Sequence, residues 1–405
     1  MKKISVIGDI MVEPPFMEQI GRAGGYHFTP SFLPLKEVLK DSDYVIGNLE
    51  TPLAGEEAGY TSRIVSFNAP DTLAEALVAI GVDVVSTANN HCLDRGYEGL
   101  VRTNEVLDRY GIAHTGTYAK DFDGDRIHYF TLGDTKFALI AYTFATNYDI
   151  NGVDAMETRT VNLFRPQYND PPRYVRHKMY DEMPPAFGDT IAYIESLLGR
   201  KMLWEETIKL KLAMHLPVPQ IDNYLSEEEQ DTWYQAVEAD YAEARKNADI
   251  VLFYPHAGGQ FNEEPGLYTK RLVKKSVDLG FDAVFAAHSH TSQRAEYLDN
   301  KPCFYSMGNV TMSPGTFYSV SECLPEYGLA AHLYVEDKKI QKTTFSIFKM
   351  VEENDEPLRV VPVDVLYETL EGEKRDKLVE DVKAVYTRVA GRALTGDIIA
   401  KEYDL

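Results

Sequence analysis

The strongest constraint on this chain is where its polar residues fall. Short β-rich runs alternate with stretches of helical spacing, and nearly every run stops at a residue able to hold a ligand. Asp9 follows SVIG, and Asn48 and Glu50 follow YVIG. Asn89, Asn90, His91 and Asp94 follow DVVSTA. His256 follows VLFYP; His288, Ser289 and His290 follow AVFAA; Asn309 follows FYSMG. Strands alternating with helices predict an α/β layered fold. In such sheets ligands bind outside the carboxyl ends of the strands. Side chains far apart in sequence can therefore meet at one edge.

The spacing predicts strands at 4–8, 44–48, 82–87, 136–144, 249–256, 282–290 and 301–309. It predicts helices over 30–42, 70–81, 96–111 and 266–280. Pro70 and Gly81 punctuate the second of these helices. Two further strands, 328–336 and 339–351, flank Asp337 and Lys338 as a hairpin. Residues 147–247 break the rhythm. A Pro-, Tyr- and charge-rich stretch is followed there by two helical segments, which suggests a mainly helical insertion. We therefore expect one domain over residues 1–355, carrying that insertion, and a C-terminal helical extension over 356–405.

The net charge of −22 excludes partners as much as it suggests them. A surface this acidic repels phosphate backbones and anionic headgroups, so nucleic acid and membrane are not expected partners. An anionic substrate would need a local positive centre. The three cysteines, Cys92, Cys303 and Cys323, form no CxxC pair and are expected as buried free thiols. MKKISVIGDI has no long apolar core and reads as a first strand, not a leader. No stretch reaches the roughly 18 apolar residues of a spanning helix. A cytoplasmic protein is the expectation.

Four of the ten histidines stand at predicted strand ends. His288 and His290 are two apart, so in an extended segment both rings would face one side. Imidazole, carboxylate and amide oxygen together suit Mn, Fe or Zn better than Ca or Mg. A dinuclear hydrolytic centre would hold its ions roughly 3.5–4 Å apart.

The pieces GDIM, GNLETPL, the run from FNAPDTL to AHTG that contains ANNHCLDRG, YPHAGGQFNEEP, and the run from FDAVFAAHSH to FYSMGN occur in that order over about residues 4–310. This ordered set resembles the CapA family, named for poly-γ-glutamate capsule synthesis, a branch of the calcineurin-like metallophosphatase superfamily. The resemblance implies a four-layer β-sandwich flanked by helices. It implies that Asp9 and His290 serve a first metal, and that Asn90, His256 and His288 serve a second. Glu50, with Asn48 beside it, would take the acidic bridging position. His91 would be the acid that protonates a leaving group, oriented by Asp94. The chain departs from the superfamily at Met11, where a histidine is usual, since a thioether is a poor ligand for a hard divalent ion. One or two ions of Mn, Fe or Zn are thus implied.

Three functions follow from this resemblance. The first is metal-dependent hydrolysis of a phosphoester or of a γ-glutamyl or other peptide amide, on a small peptide-like or phosphorylated substrate. The second is metal-independent epimerisation of a peptide Cα, with Asp9 and His290 facing each other across an open space as the acid–base pair. The third is a non-catalytic part in poly-γ-glutamate or capsule synthesis, binding acidic peptide through the basic segment 165–178. Ser289 reads as a spacer, and Cys92 is expected to point into the core, away from His91.

Overall fold

The computed structural model describes all residues except 23, 63–65, 166–193, 201, 203–205, 207–208, 212–218, 221–225, 315, 317, 354–355 and 397. In chain order its strands are β1 (Lys2–Ile10), β2 (Tyr44–Leu49), β3 (Val84–Ser86), β4 (Ala113–Thr115) and β5 (His128–Leu132). Next come β6 (Thr135–Thr143), β7 (Ile250–His256), β8 (Ala283–Phe285), β9 (Ala295–Leu298) and β10 (Lys301–Phe304). The last are β11 (Asn309–Thr311), β12 (Tyr327–Glu336), β13 (Lys339–Val351), β14 (Arg359–Pro362) and β15 (Tyr403–Asp404). They make two sheets. One runs β14-β13-β12-β1-β2-β3-β4, with β11 on β1 and β15 on β13; the other runs β5-β6-β7-β8-β10-β9.

Alternation along the strands builds the layers. Phe137, Leu139 and Ala141 of β6 and Ile250, Leu252 and Tyr254 of β7 turn toward the first sheet, where they meet Ile4, Val6 and Leu329. Their neighbours Ala138, Ile140, Val251 and Phe253 turn outward, onto the helices Glu227–Asn247 and Leu267–Leu279. The outer face of the first sheet buries Ile7, Ile10 and Val85 against the helices Pro14–Arg22 and Thr72–Ile80. The result is helix, sheet, sheet, helix, the four-layer α/β sandwich expected above.

Local chemistry explains the element ends. The helix Thr72–Ile80 stops at Gly81, whose φ of 87° is left-handed and costs glycine little. The β12–β13 hairpin turns on Asp337 and Lys338, both left-handed at φ 51° and 59°, as a two-residue type I′ turn requires. The helix Glu227–Asn247 opens on a capping box in which Ser226 and Glu229 satisfy each other's backbone N–H.

Three expectations are corrected. The strand over 301–309 is two, β10 in the second sheet and β11 on β1 in the first. The helix over 30–42 is broken into Thr29–Phe32, a 3-10 turn at Leu33–Leu35 and Lys36–Leu39. Pro34 sits in that turn and has no N–H to continue an α-helix. The strand over 282–290 is only Ala283–Phe285, and His288 and His290 are left-handed at φ 97° and 54°. Their rings share a site because the chain curls there, not because it is extended.

The segment 356–405 contributes β14 and β15 to the edge of the first sheet as well as the helix Gly372–Ala390. Leu378, Val382 and Val385 of that helix join the core that the two sheets share. The first helical segment of the insertion, and the basic segment beyond Arg165, fall largely outside the described residues.

Candidate metal centre

The centre starts from a kink in β1. A side chain on Gly8 would put its Cβ 1.9 Å from the Gly308 carbonyl oxygen, so only glycine lets β1 and β11 approach. The register with β2 shifts between Val6 and Asp9, a β-bulge that re-aims the strand end. Beyond it, Asp9 lies level with Asn48 on one side and Asn309 on the other. From the second sheet His256 arrives at the end of β7, level with Thr143. His288 and His290 arrive in the loop after β8.

Asp9, Glu50, Asn90, His256, His288 and His290 are all buried, at 0–3 % exposure. Two sets of metal-ligand type emerge: Glu50, His256 and His288; and Asp9, Glu50 and His290. Within each, one donor atom per residue lies within 4.8 Å of the others. Glu50 belongs to both, and Asn90 joins the first, its Oδ1 lying 2.8 Å from His256 Nε2.

Burial governs the charges. It pushes the carboxyls of Asp9 and Glu50 up to about 8, with Glu50 adding repulsion at Asp9. It pushes His256 down to about 4, so that imidazole is neutral and offers a lone pair. A divalent cation would reverse the carboxyl shifts.

The residues fit such an ion. Among the described residues the buried Glu50 Oε1 makes no hydrogen bond, and it lies 3.3 Å from His256 Nε2. His288 Nδ1 is 3.2 Å from the same nitrogen. Four atoms bearing lone pairs thus crowd together, and two ring nitrogens can share only one proton between them. Ligands about 2.0–2.1 Å from a tetrahedral ion lie about 3.3 Å apart.

His91 stands beside this cluster. Its Nδ1–H donates to Asp94 Oδ2 at 2.6 Å, and the same oxygen accepts the Phe67 backbone N–H at 2.7 Å. Asp94 thereby sets the tautomer, with the ring proton on Nδ1. Phe67 covers the His91 ring at 4.2 Å, and Phe144 covers His288 at 4.5 Å.

Asp9 and His290 are brought together, but with no open space between them: Asp9 Oδ2 is 3.6 Å from His290 Nδ1. A substrate Cα cannot sit between atoms so close, so the geometry the epimerase alternative needs is not met. Ser289 donates to the Thr291 carbonyl at 2.8 Å and accepts the Thr291 backbone N–H at 3.4 Å. Cys92 is buried among Leu93, Leu100 and Val161, and burial raises its thiol.

Two contacts escape the sequence reading. Asn147, four residues past β6, accepts from Asn90 Nδ2 at 3.3 Å and places its amide nitrogen 3.4 Å from His91 Nδ1. Gln260 brings its amide nitrogen to 3.5 Å from His290 Nε2. The same strand-end rule applied to β6 would have found Asn147; no local signal marks Gln260.

Fold and site together define an α/β sandwich protein with a histidine–carboxylate–amide centre at its strand ends. The sequence profile described as bacterial capsule synthesis protein PGA_cap matches residues 3–313, and the chain belongs to that family. It is 25 % identical over 336 residues to the uncharacterized protein y4sH of Sinorhizobium fredii, covering 75 % of this chain and 64 % of that one. It is 22 % identical over 329 residues to the capsule biosynthesis protein CapA of Bacillus anthracis, covering 80 % and 63 %. The chain therefore spans less than two thirds of the length of these relatives. It is 21 % identical over 331 residues to the PGA biosynthesis protein CapA of Bacillus subtilis, covering 80 % and 67 %. Solved structures similar to it include a phosphatase from Mycoplasma pneumoniae, with a TM-score of 0.42, 12 % identity, and 85 % of this chain and 92 % of that one covered. A 5′-nucleotidase from Candida albicans has a TM-score of 0.40 and 10 % identity, with 95 % and 57 % covered. Among the described residues no helix is long and apolar enough to cross a membrane.

Proposed function

We propose that this protein is a metal-dependent hydrolase. The observation that carries the reading is the crowding of Glu50 Oε1, Asn90 Oδ1, His256 Nε2 and His288 Nδ1, with the His91–Asp94 pair beside them. Glu50, Asn90, His256 and His288 would hold Mn, Fe or Zn. When bound, such an ion supplies Lewis-acid polarisation of a phosphoryl or carbonyl oxygen. His91 Nε2 gives its proton to the leaving oxygen or nitrogen, and Asp94 stabilises the imidazolium from the Nδ1 side. Phe67 and Phe144 keep bulk water from the two rings they cover. The substrate class is a phosphoester or a γ-glutamyl or related amide.

The test is the metal content of the chain by inductively coupled plasma mass spectrometry, beside an Asn90→Ala/His288→Ala control. We expect about one or two transition-metal ions per chain, lost in the control. Phosphoester and γ-glutamyl substrates are then screened, with His91→Ala and His256→Ala inactive and folded. Absence of metal after incubation with Mn or Zn, or an active His256→Ala enzyme, would overturn the reading.

A further inference from the structure

The two ligand sets are not equivalent, and a chain of side-chain amides makes the difference. The chain begins at backbone atoms, which leave no choice of orientation. The His91 backbone N–H donates to Asn89 Oδ1 at 3.2 Å, and Asn89 Nδ2 donates to the Leu49 carbonyl at 2.8 Å. An N–H can only donate and a carbonyl can only accept, so the Asn89 amide is fixed. Its Nδ2 also donates to Asn48 Oδ1 at 3.2 Å, which turns Asn48 Nδ2 toward Asp9 Oδ1 at 2.7 Å. Asp9 Oδ2 meanwhile accepts the His288 backbone N–H at 3.0 Å.

His290 is fixed in the same way. Asn309 Nδ2 donates to the carbonyls of His290 and Pro325, at 3.0 and 3.1 Å. Asn309 Oδ1 must then accept from His290 Nδ1 at 2.9 Å, and the remaining nitrogen faces the Gln260 amide. In the Asp9–His290 half, every acceptor atom outside Glu50 already faces a protein N–H. In the other half the Asn48 amide nitrogen lies 3.3 Å from His256 Nδ1 and 3.5 Å from Glu50 Oε2, but Asn90 Oδ1, His256 Nε2 and His288 Nδ1 face one another, and among the described residues Glu50 Oε1 makes no hydrogen bond. The oxygen left without a hydrogen bond lies against that second half, 3.3 Å from His256 Nε2.

From this asymmetry we infer that Asn48 limits the centre to one tightly held ion, in the Glu50–Asn90–His256–His288 half, by donating a hydrogen bond to Asp9 where an acidic side chain would coordinate. Asn48 is a positioning residue, and Asp9 and His290 belong to the hydrogen-bonded frame around the ion. This inference rests on the metal-dependent reading above and deepens it.

The experiment uses the full chain, stripped with chelator, saturated with Zn²⁺, desalted and counted for bound zinc by mass spectrometry. Wild type should hold one zinc per chain. His290→Ala should still hold one, and His256→Ala should lose most of it. Asn48→Asp, which replaces the donor amide with an acceptor, should take up a second. Two zinc ions in the wild type, loss of the ion in His290→Ala, or a folded Asn48→Asp that still holds one would overturn the inference and leave metal dependence standing. No zinc in the wild type would overturn both. The wild-type and His290→Ala counts decide the matter even if Asn48→Asp does not fold.

Discussion

Replacing Glu13 with Gln should stabilise this protein at neutral pH, with an effect that vanishes in acid. Glu13 is buried without exposure, just past β1. The Ser313 backbone N–H reaches its two oxygens at 3.1 and 3.3 Å, and the Thr316 hydroxyl donates to Oε1 at 3.3 Å. These bonds favour the carboxylate, but burial outweighs them and pushes the group from 4.5 up to about 8. Above pH 4.5 the unfolded chain releases the proton while the folded chain keeps it. The stabilising contribution is therefore complete below pH 4.5 and is lost as pH rises through about 8. Each pH unit in that window costs about 1.4 kcal/mol, which comes to about 3 kcal/mol at pH 7. Gln is neutral in both states and keeps an oxygen for Ser313 and Thr316. Glu13→Gln should thus match wild type near pH 4.5 and exceed it by about 3 kcal/mol at pH 7. Urea unfolding of both proteins at several pH values, followed by circular dichroism, measures the difference. A difference that stays flat with pH, or a variant that grows less stable toward pH 7, would show that Glu13 is ionised in the fold.

Three further outcomes are expected. Asp94→Asn replaces a charge-assisted bond to His91 with a neutral one, a loss of about 1–2 kcal/mol, or roughly 10-fold in kcat; the loss should be larger for substrates with poor leaving groups, and equal losses across a leaving-group series would remove His91 from the acid role. Zn²⁺ or Mn²⁺ at about 100 times its dissociation constant should stabilise the fold by about 2.7 kcal/mol, read as a rise in thermal midpoint that Asn90→Ala/His256→Ala abolishes. Gly8→Ala forces β1 away from the Gly308 carbonyl and should cost about 1–3 kcal/mol, seen as a lower urea midpoint together with weaker zinc binding; an unchanged midpoint would mean that the bulge absorbs a methyl group.

Much of the scaffold is legible locally. The runs around ISVIG, FALIAY and VLFY announce strands because alternate side chains must serve two faces, and β6 divides Phe137 from Ala138 as that rule demands. Gly81 and the Asp337–Lys338 pair mark element ends through backbone angles that belong to the residues themselves. The His91–Asp94 pair is readable as well, since three residues of chain bring donor and acceptor together. That Asp9, Glu50, Asn90, His256, His288 and His290 reach the sheet edge is legible too, because polar groups at the ends of buried strands need partners or ligands.

What the sequence determined, then, was everything that follows from spacing along one segment: strand, turn, cap, and which residues reach the sheet edge. Tertiary structure alone decided the rest. Strand periodicity is the same in either sheet, so only long-range pairing sends β1 to β4 into one and β5 to β10 into the other. The left-handed turns at His288 and His290 are strain that local preference opposes and the surrounding hydrogen bonds hold. The direction of the Asn48 amide is set by Asn89, 41 residues away, and through it by two backbone atoms. An amide reads identically from both ends in a sequence; only its fixed neighbours decide which end faces Asp9.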